Sequence, residues 1–270
     1  MDMTTSARPN SPEQSNLVLS ERVNSYTQLL TLNRPEKRNA LSVALMQQLC
    51  SAYETAQQDP AIRVVILRGA GDVFCAGLDL QEANQAGKTD SSAHAVARTL
   101  LTLHNTPMVT IAAVHGAAMA GGAGVMAACD FAILAEGTKI GYPEVRRGMI
   151  AALVYTFMAR QLNTRQIREL LLLAEPITAE RAQQIGLINR VVPQGQLMEE
   201  AMRIAATVVQ GGPHAIAETK RLIRDFRPPT VTEDIQRAIE FHLAARTSDE
   251  AQEGIAAFLE KRKPSWIPPQ

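Results

Sequence analysis

Three short stretches of this sequence pair an unusual backbone with a group that could stabilise or move charge. The first is Cys75-Ala76-Gly77-Leu78-Asp79. Its small residues let a ligand approach the main chain closely, and Asp79 is suited to capping a helix start. The second is His115–Gly124 (HGAAMAGGAG), in which eight of ten residues are Gly or Ala. A helix starting near Gly121 would aim free N–H groups and the positive end of its dipole above the strand ends. Tight helix–sheet packing explains the same composition about as well. No Gly-Lys-Ser/Thr follows, which disfavours a phosphate loop, and no acid lies at the spacing of a dinucleotide site. The third is Gly141–Gly148 (GYPEVRRG), with Pro143 expected in a first helical turn and Glu144 just after it. Glu144 could serve as an acid/base, or simply match its charge to the helix end.

Other reactive side chains are less suggestive. Cys75 has no evident histidine partner and is not expected to be a nucleophile. His115 precedes the Gly-rich turn and reads as structural. His94, His104, His214 and His242 lack metal-ligand spacing, so no metal site is expected.

These stretches need elements to hold them. A strand is predicted at Ser25–Leu32, then a turn over 33–39. Leu45, Leu49, Ala52, Tyr53 and Ala56 follow at helical spacing, and Asp59-Pro60 ends that helix. Val64–Leu67, Met108–Val114 and the FAIL run inside 127–134 read as buried strands, with a helix near 93–104 between the first two. The alternation indicates an α/β chain with a mostly parallel sheet. From Glu144 onward the pattern is mainly helical. The last helix is expected to open with a capping box from Thr247 to Glu250, and Pro228-Pro229 reads as a joint.

The chain has 270 residues, with 27 basic and 27 acidic side chains, 46% hydrophobic residues and 4% aromatics. Zero net charge and few aromatics argue against nucleic-acid binding. No apolar run is long enough for a membrane span. Cys50, Cys75 and Cys129 are far apart and fit reduced thiols in a cytoplasmic protein. Residues 1–16 read as a loose polar tail.

Together the segments resemble the enoyl-CoA hydratase/isomerase (crotonase) superfamily. The resemblance rests on LNRPEKRNALS (32–42), VVILRGAGDVFCAGLDL (64–80), AAVHGAAMAGGAGVMAACDFAILAE (112–136), IGYPEVRRG (140–148), AERAQQIGLINRVVP (179–193) and AFLEKRKPSW (257–266), in that order. It implies a ClpP/crotonase-like spiral of β-β-α units over 17–200. It also implies a helical trimerisation region over 201–270, giving a homotrimer or dimer of trimers. The implied substrate is an acyl-CoA thioester, with no further cofactor. The implied oxyanion hole is formed by the amides of Leu78 and Gly121. Arg38, Ala40, Ala76, Asp79, Leu80 and Tyr142 are implied substrate contacts, while Phe258 and Lys261 are implied CoA contacts from a neighbouring subunit. For Tyr142 the competing role is packing before Pro143, and for Lys261 a solvated charge.

One departure is informative. Hydratases of the family use two glutamates. The second matches Glu144, but the first falls on Gly124. A single carboxylate can shift a double bond by moving one proton between two carbons, or hydrate if something else holds the water. Arg146 and Arg147 could receive a second carboxylate on the substrate, or lie in solvent. A decarboxylase or hydrolase of the superfamily, or a non-catalytic CoA- or RNA-binding homologue, are the alternatives.

Overall fold

The β-branched runs form a sheet buried on both faces. The computed structural model describes residues 16–85, 89–226 and 230–267. All but one residue of the tail expected at 1–16 lies outside these, as does the Pro228-Pro229 joint. The main sheet contains β1 (Val18–Arg22), β2 (Thr27–Leu32), β3 (Val64–Gly69), β4 (Val109–Val114), β6 (Phe131–Ala135) and β9 (Arg190–Val192) in the order β1-β2-β3-β4-β6-β9. Only β1 runs antiparallel to its neighbour; the register pairs Val64 with Val109 and Ile111 with Phe131.

Alternate side chains divide between two cores, as a period of two demands. Leu30, Leu32, Val65, Leu67, Ala112, Val114 and Leu134 share a core with Leu45 and Leu49 of helix Val43–Gln58 and Leu100 and Leu103 of helix Thr89–Asn105. Leu29, Val64, Ile66, Val109, Ile111 and Ile133 pack instead with Leu197, Ala201, Ile204 and Ala205 of helix Leu197–Val208. The boundary expected at 200–201 therefore runs through a continuous helix, because that helix's apolar stripe covers one face of the sheet.

A second, three-stranded sheet orders β5 (Ala117–Met119), β7 (Lys139–Gly141) and β8 (Ile177–Thr178) as β5-β7-β8. It lies where the Gly/Ala-rich stretch leaves β4. Helices dominate the rest, including Ala152–Gln161, Pro213–Asp225, Val231–Arg246 and Asp249–Leu259. The capping box expected at Thr247 is not formed. Ser248 is the N-cap and accepts from Ala251 N, while Thr247 Oγ1 donates back to Leu243 O. A capping box does form one helix earlier, between Thr230 and Glu233. Among the described residues no helix is long and apolar enough to cross a membrane.

Candidate active site

Main-chain hydrogen bonds stitch the three sequence stretches together. Ala76 N donates to Arg38 O (2.9 Å), Leu41 N to Gly77 O (2.8 Å) and Asp79 N to Leu41 O (3.0 Å). Cys75 N donates to Ala117 O and Met119 N to Cys75 O, tying the loop after β3 to β5. Ala120 N then donates to Gly141 O (2.8 Å), which ties β5 to the strand leading to Glu144. Gly77 sits at φ +94, and a Cβ there would stand 2.8 Å from Met119 O, so the crossing needs glycine.

This stitching brings two amides side by side. Gly121 opens helix Gly121–Ala128, so its N–H has no acceptor within the helix. Among the described residues neither Gly121 N nor Leu78 N donates to a protein acceptor. A Cβ built on Gly121 would lie 3.8 Å from Leu78 N. Ala120, just before, holds φ 47 and ψ −122, a conformation that costs a non-glycine residue about 1–3 kcal/mol.

Both residues line a cavity of about 350 Å³ together with Arg38, Ala40, Ala76, Asp79, Leu80, Glu144 and Phe258. Asp79 holds the rim. It accepts from Gln81 N and Glu82 N and pairs with Arg34 Nη1 at 2.7 Å. Burial opposes its charge, but Arg34 and those amides outweigh burial and hold the carboxyl below its usual range.

Glu144 begins a short 3-10 turn, Glu144–Arg147, with Pro143 at its N-cap rather than inside the first turn. Glu144 is 9% exposed, and its Oε2 is buried with no hydrogen-bond partner. Burial pushes its pKa up to about 7, against the smaller opposing effects of its own amide and of Arg147. Tyr142 does not line the cavity. It is buried behind Glu144 with its hydroxyl unpartnered, and burial, then the Glu144 charge, push that hydroxyl upward. Arg146 is exposed and donates to Leu173 O.

Where the first family glutamate would stand, Gly124 is enclosed. A Cβ there would meet Val154 Cγ2 at 2.9 Å, and Val154 itself lines the cavity. Cys75 is buried, its thiol pushed up to about 12, which leaves it protonated. His115 lies outside the cavity, with Nε2 2.8 Å from Gly71 O. Among the described residues no cluster of His, Cys, Asp and Glu could hold a metal ion.

Phe258 of the same chain lines this cavity, and Lys261 is not among the lining residues. The Arg147 guanidinium lies 4.2 Å from the Phe258 ring centre. Two glycines press helix Asp249–Leu259 against the turn behind Glu144. At Gly148 (φ +64) a Cβ would stand 2.5 Å from Glu250 O, and at Gly254 it would collide with Arg147 O. The cavity also contains His242 and Arg246, which the sequence reading left unassigned to any site. Val231, Ile235, Ala238, His242 and Arg246 recur at helical spacing, so the apolar stripe ends on these two polar residues.

The family described as Enoyl-CoA hydratase/isomerase matches residues 23–268. The chain belongs to that family. Among family relatives, enoyl-CoA hydratase EchA19 of Mycobacterium tuberculosis is 35% identical over 252 residues, covering 89% of this chain and 93% of that protein. The 2,3-dehydroadipyl-CoA hydratase of Escherichia coli is 32% identical, covering 88% and 94%. A crystal structure of an enoyl-CoA hydratase from Mycobacterium avium superposes with a TM-score of 0.84 at 32% identity, covering 94% of this chain and 100% of that one. The chain thus shares the crotonase fold of these enoyl-CoA hydratase/isomerase family members.

Proposed function

We propose that the protein moves a proton on an enoyl-CoA thioester, with Glu144 as the single acid/base and the amides of Leu78 and Gly121 holding the thioester oxygen. Glu144 takes a proton from C2 of a 3-enoyl-CoA. The electron pair of that C–H bond spreads onto the thioester oxygen, making a dienolate. The two amides stabilise this anion, each such donor being worth about 2.7–4 kcal/mol. Glu144, now protonated, returns a proton to C4, and the double bond ends between C2 and C3.

One observation carries this reading: the cavity holds a single buried, unpaired carboxyl, with a pKa of about 7, and the position of a second is closed by Val154. At neutral pH such a carboxyl populates both forms, as a group that both accepts and returns a proton requires. Hydration of a 2-enoyl-CoA is the second reading, favoured by the names of the relatives above. Exposed Leu222, Ile223, Phe226 and Phe241 support self-association, in line with a trimer or pair of trimers.

Product analysis by mass spectrometry separates the two. A double-bond shift leaves the mass unchanged, and in heavy water the deuterium found at C4 measures how far the Glu144 proton exchanges with solvent before its return; hydration adds one water. Glu144→Gln should abolish turnover while leaving CoA-ester binding intact. Full activity in that variant overturns the assignment of the base.

A further inference from the structure

A buried arginine without a counter-charge lines the same cavity. Arg246 is the last residue of helix Val231–Arg246 and is 2% exposed. Nη1 and Nη2 are both buried and both lack a hydrogen-bond partner. Among the described residues no acid lies within ion-pair distance of it. Its own carbonyl accepts from Gln252 Nε2, but this leaves the guanidinium untouched.

Guanidinium groups are rarely buried unpaired, because desolvation is repaid only by good hydrogen bonds or an opposing charge. The helix C-terminus offers a weak favourable field but no donor-acceptor partner in the right direction. The neighbouring cavity groups do not supply one either. His242, one turn back, is held neutral by burial, with a pKa of about 4, and its Nε2 is also unpartnered. Arg147 is a further cation on the cavity wall, besides Lys37 and Arg38, and its Nε lacks a partner. The carboxyls of the cavity wall do not supply the missing partner: Asp79 is paired with Arg34, Glu36 is exposed to solvent, and Glu144 is raised rather than lowered by its surroundings.

We infer that the acyl group of the substrate ends in a carboxylate, received by Arg246 with His242 donating its ring N–H beside it. The fork of a guanidinium matches a carboxylate in two parallel hydrogen bonds. The anion would supply the charge that the fold leaves missing. This deepens the reading above, since it takes the cavity to be the acyl site of a CoA thioester.

The test is binding, so that it does not depend on which residue is the base. Saturated straight-chain dicarboxylic mono-CoA esters, from succinyl to suberyl, are titrated calorimetrically against monocarboxylic CoA esters of equal carbon number. At one chain length or more the carboxyl-bearing ester should bind about tenfold or more tightly. Arg246→Met should erase that preference without weakening the methyl-ended ester, and should melt no lower than the parent. Arg246→Gln serves if the Met variant does not fold, and Arg246→Lys should keep part of the preference. Equal binding at every length, or a preference that survives loss of the guanidinium, overturns the inference. An active Glu144→Gln variant with the carboxylate preference intact would remove the proposed base and leave this inference standing.

Discussion

Gly124 and Val154 face each other so closely that the Cβ of any other residue at 124 would press on Val154 Cγ2 at 2.9 Å. The missing glutamate is therefore a matter of space as well as identity. Restoring it takes two changes. Gly124→Glu alone should be destabilised by about 1–3 kcal/mol through overpacking and should gain no hydration. Gly124→Glu with Val154→Ala should recover the stability and produce a water adduct from a 2-enoyl-CoA. Melting curves and product masses check this; hydration by the single variant would show that Val154 yields.

The pH dependence of stability follows from Glu144. Its folded pKa, about 7, lies above the ordinary 4.5. Between those values the folded state binds more protons than the unfolded one, so stability falls as pH rises from about 4.5 to about 7. The full swing is on the order of 3 kcal/mol. Glu144→Gln should lose this slope and be the more stable protein at pH 8. Urea midpoints at pH 5 and pH 8 for both proteins test it, and parallel curves would contradict a raised carboxyl. In the active protein, kcat/KM should climb through a limb near pH 7 as the base ionises.

A methyl group on Gly121 would lie 3.8 Å from Leu78 N and 3.2 Å from Leu41 Cδ1. Gly121→Ala should therefore fold, since the position is helical, yet crowd the gap between the two amides. The expected loss in kcat is on the order of 100-fold to 1,000-fold, as for removal of one oxyanion donor, with the melting temperature little changed. Unaltered kcat would remove these amides from the chemistry.

The three cysteines are free and buried. Burial pushes Cys75 and Cys129 up to about 12, so neither is a thiolate at neutral pH. Titration with a thiol reagent should find none reactive in the folded protein and three after denaturation. Rapid labelling of one thiol in the native state would indicate that the loop carrying Cys75 opens.

Much of the main sheet was legible because almost every residue of β3, β4 and β6 is buried, and all but Arg68 and Thr110 are apolar. β1 was not, since Leu19, Ser20, Glu21 and Arg22 are exposed at a sheet edge and carry no apolar signal. β5, β7 and β8 have only two or three residues each, too few for periodicity to register. Glu144 was legible through its motif, but its burial was not: a glutamate at a helix start looks the same whether it faces water or a cavity. Arg246 escaped for the same reason. An arginine at the end of a helix reads as a solvated cap to the dipole, and only the stripe Ile235, Ala238, His242 leading to it hints otherwise. Thr247 drew the cap one residue early because Thr and Ser stand together, and the backbone turns at Ser248.

The glycine contacts at positions 148 and 254 fasten the Glu144 turn to a segment more than a hundred residues downstream. A polypeptide released before position 254 would possess the whole Gly/Ala-rich loop, both free amides and the carboxyl, yet lack the buttress that sets the carboxyl's depth. Such a fragment should resemble the finished protein by circular dichroism and be inert. By this geometry, competence arrives with helix Asp249–Leu259, so a growing chain stays silent until that helix is made.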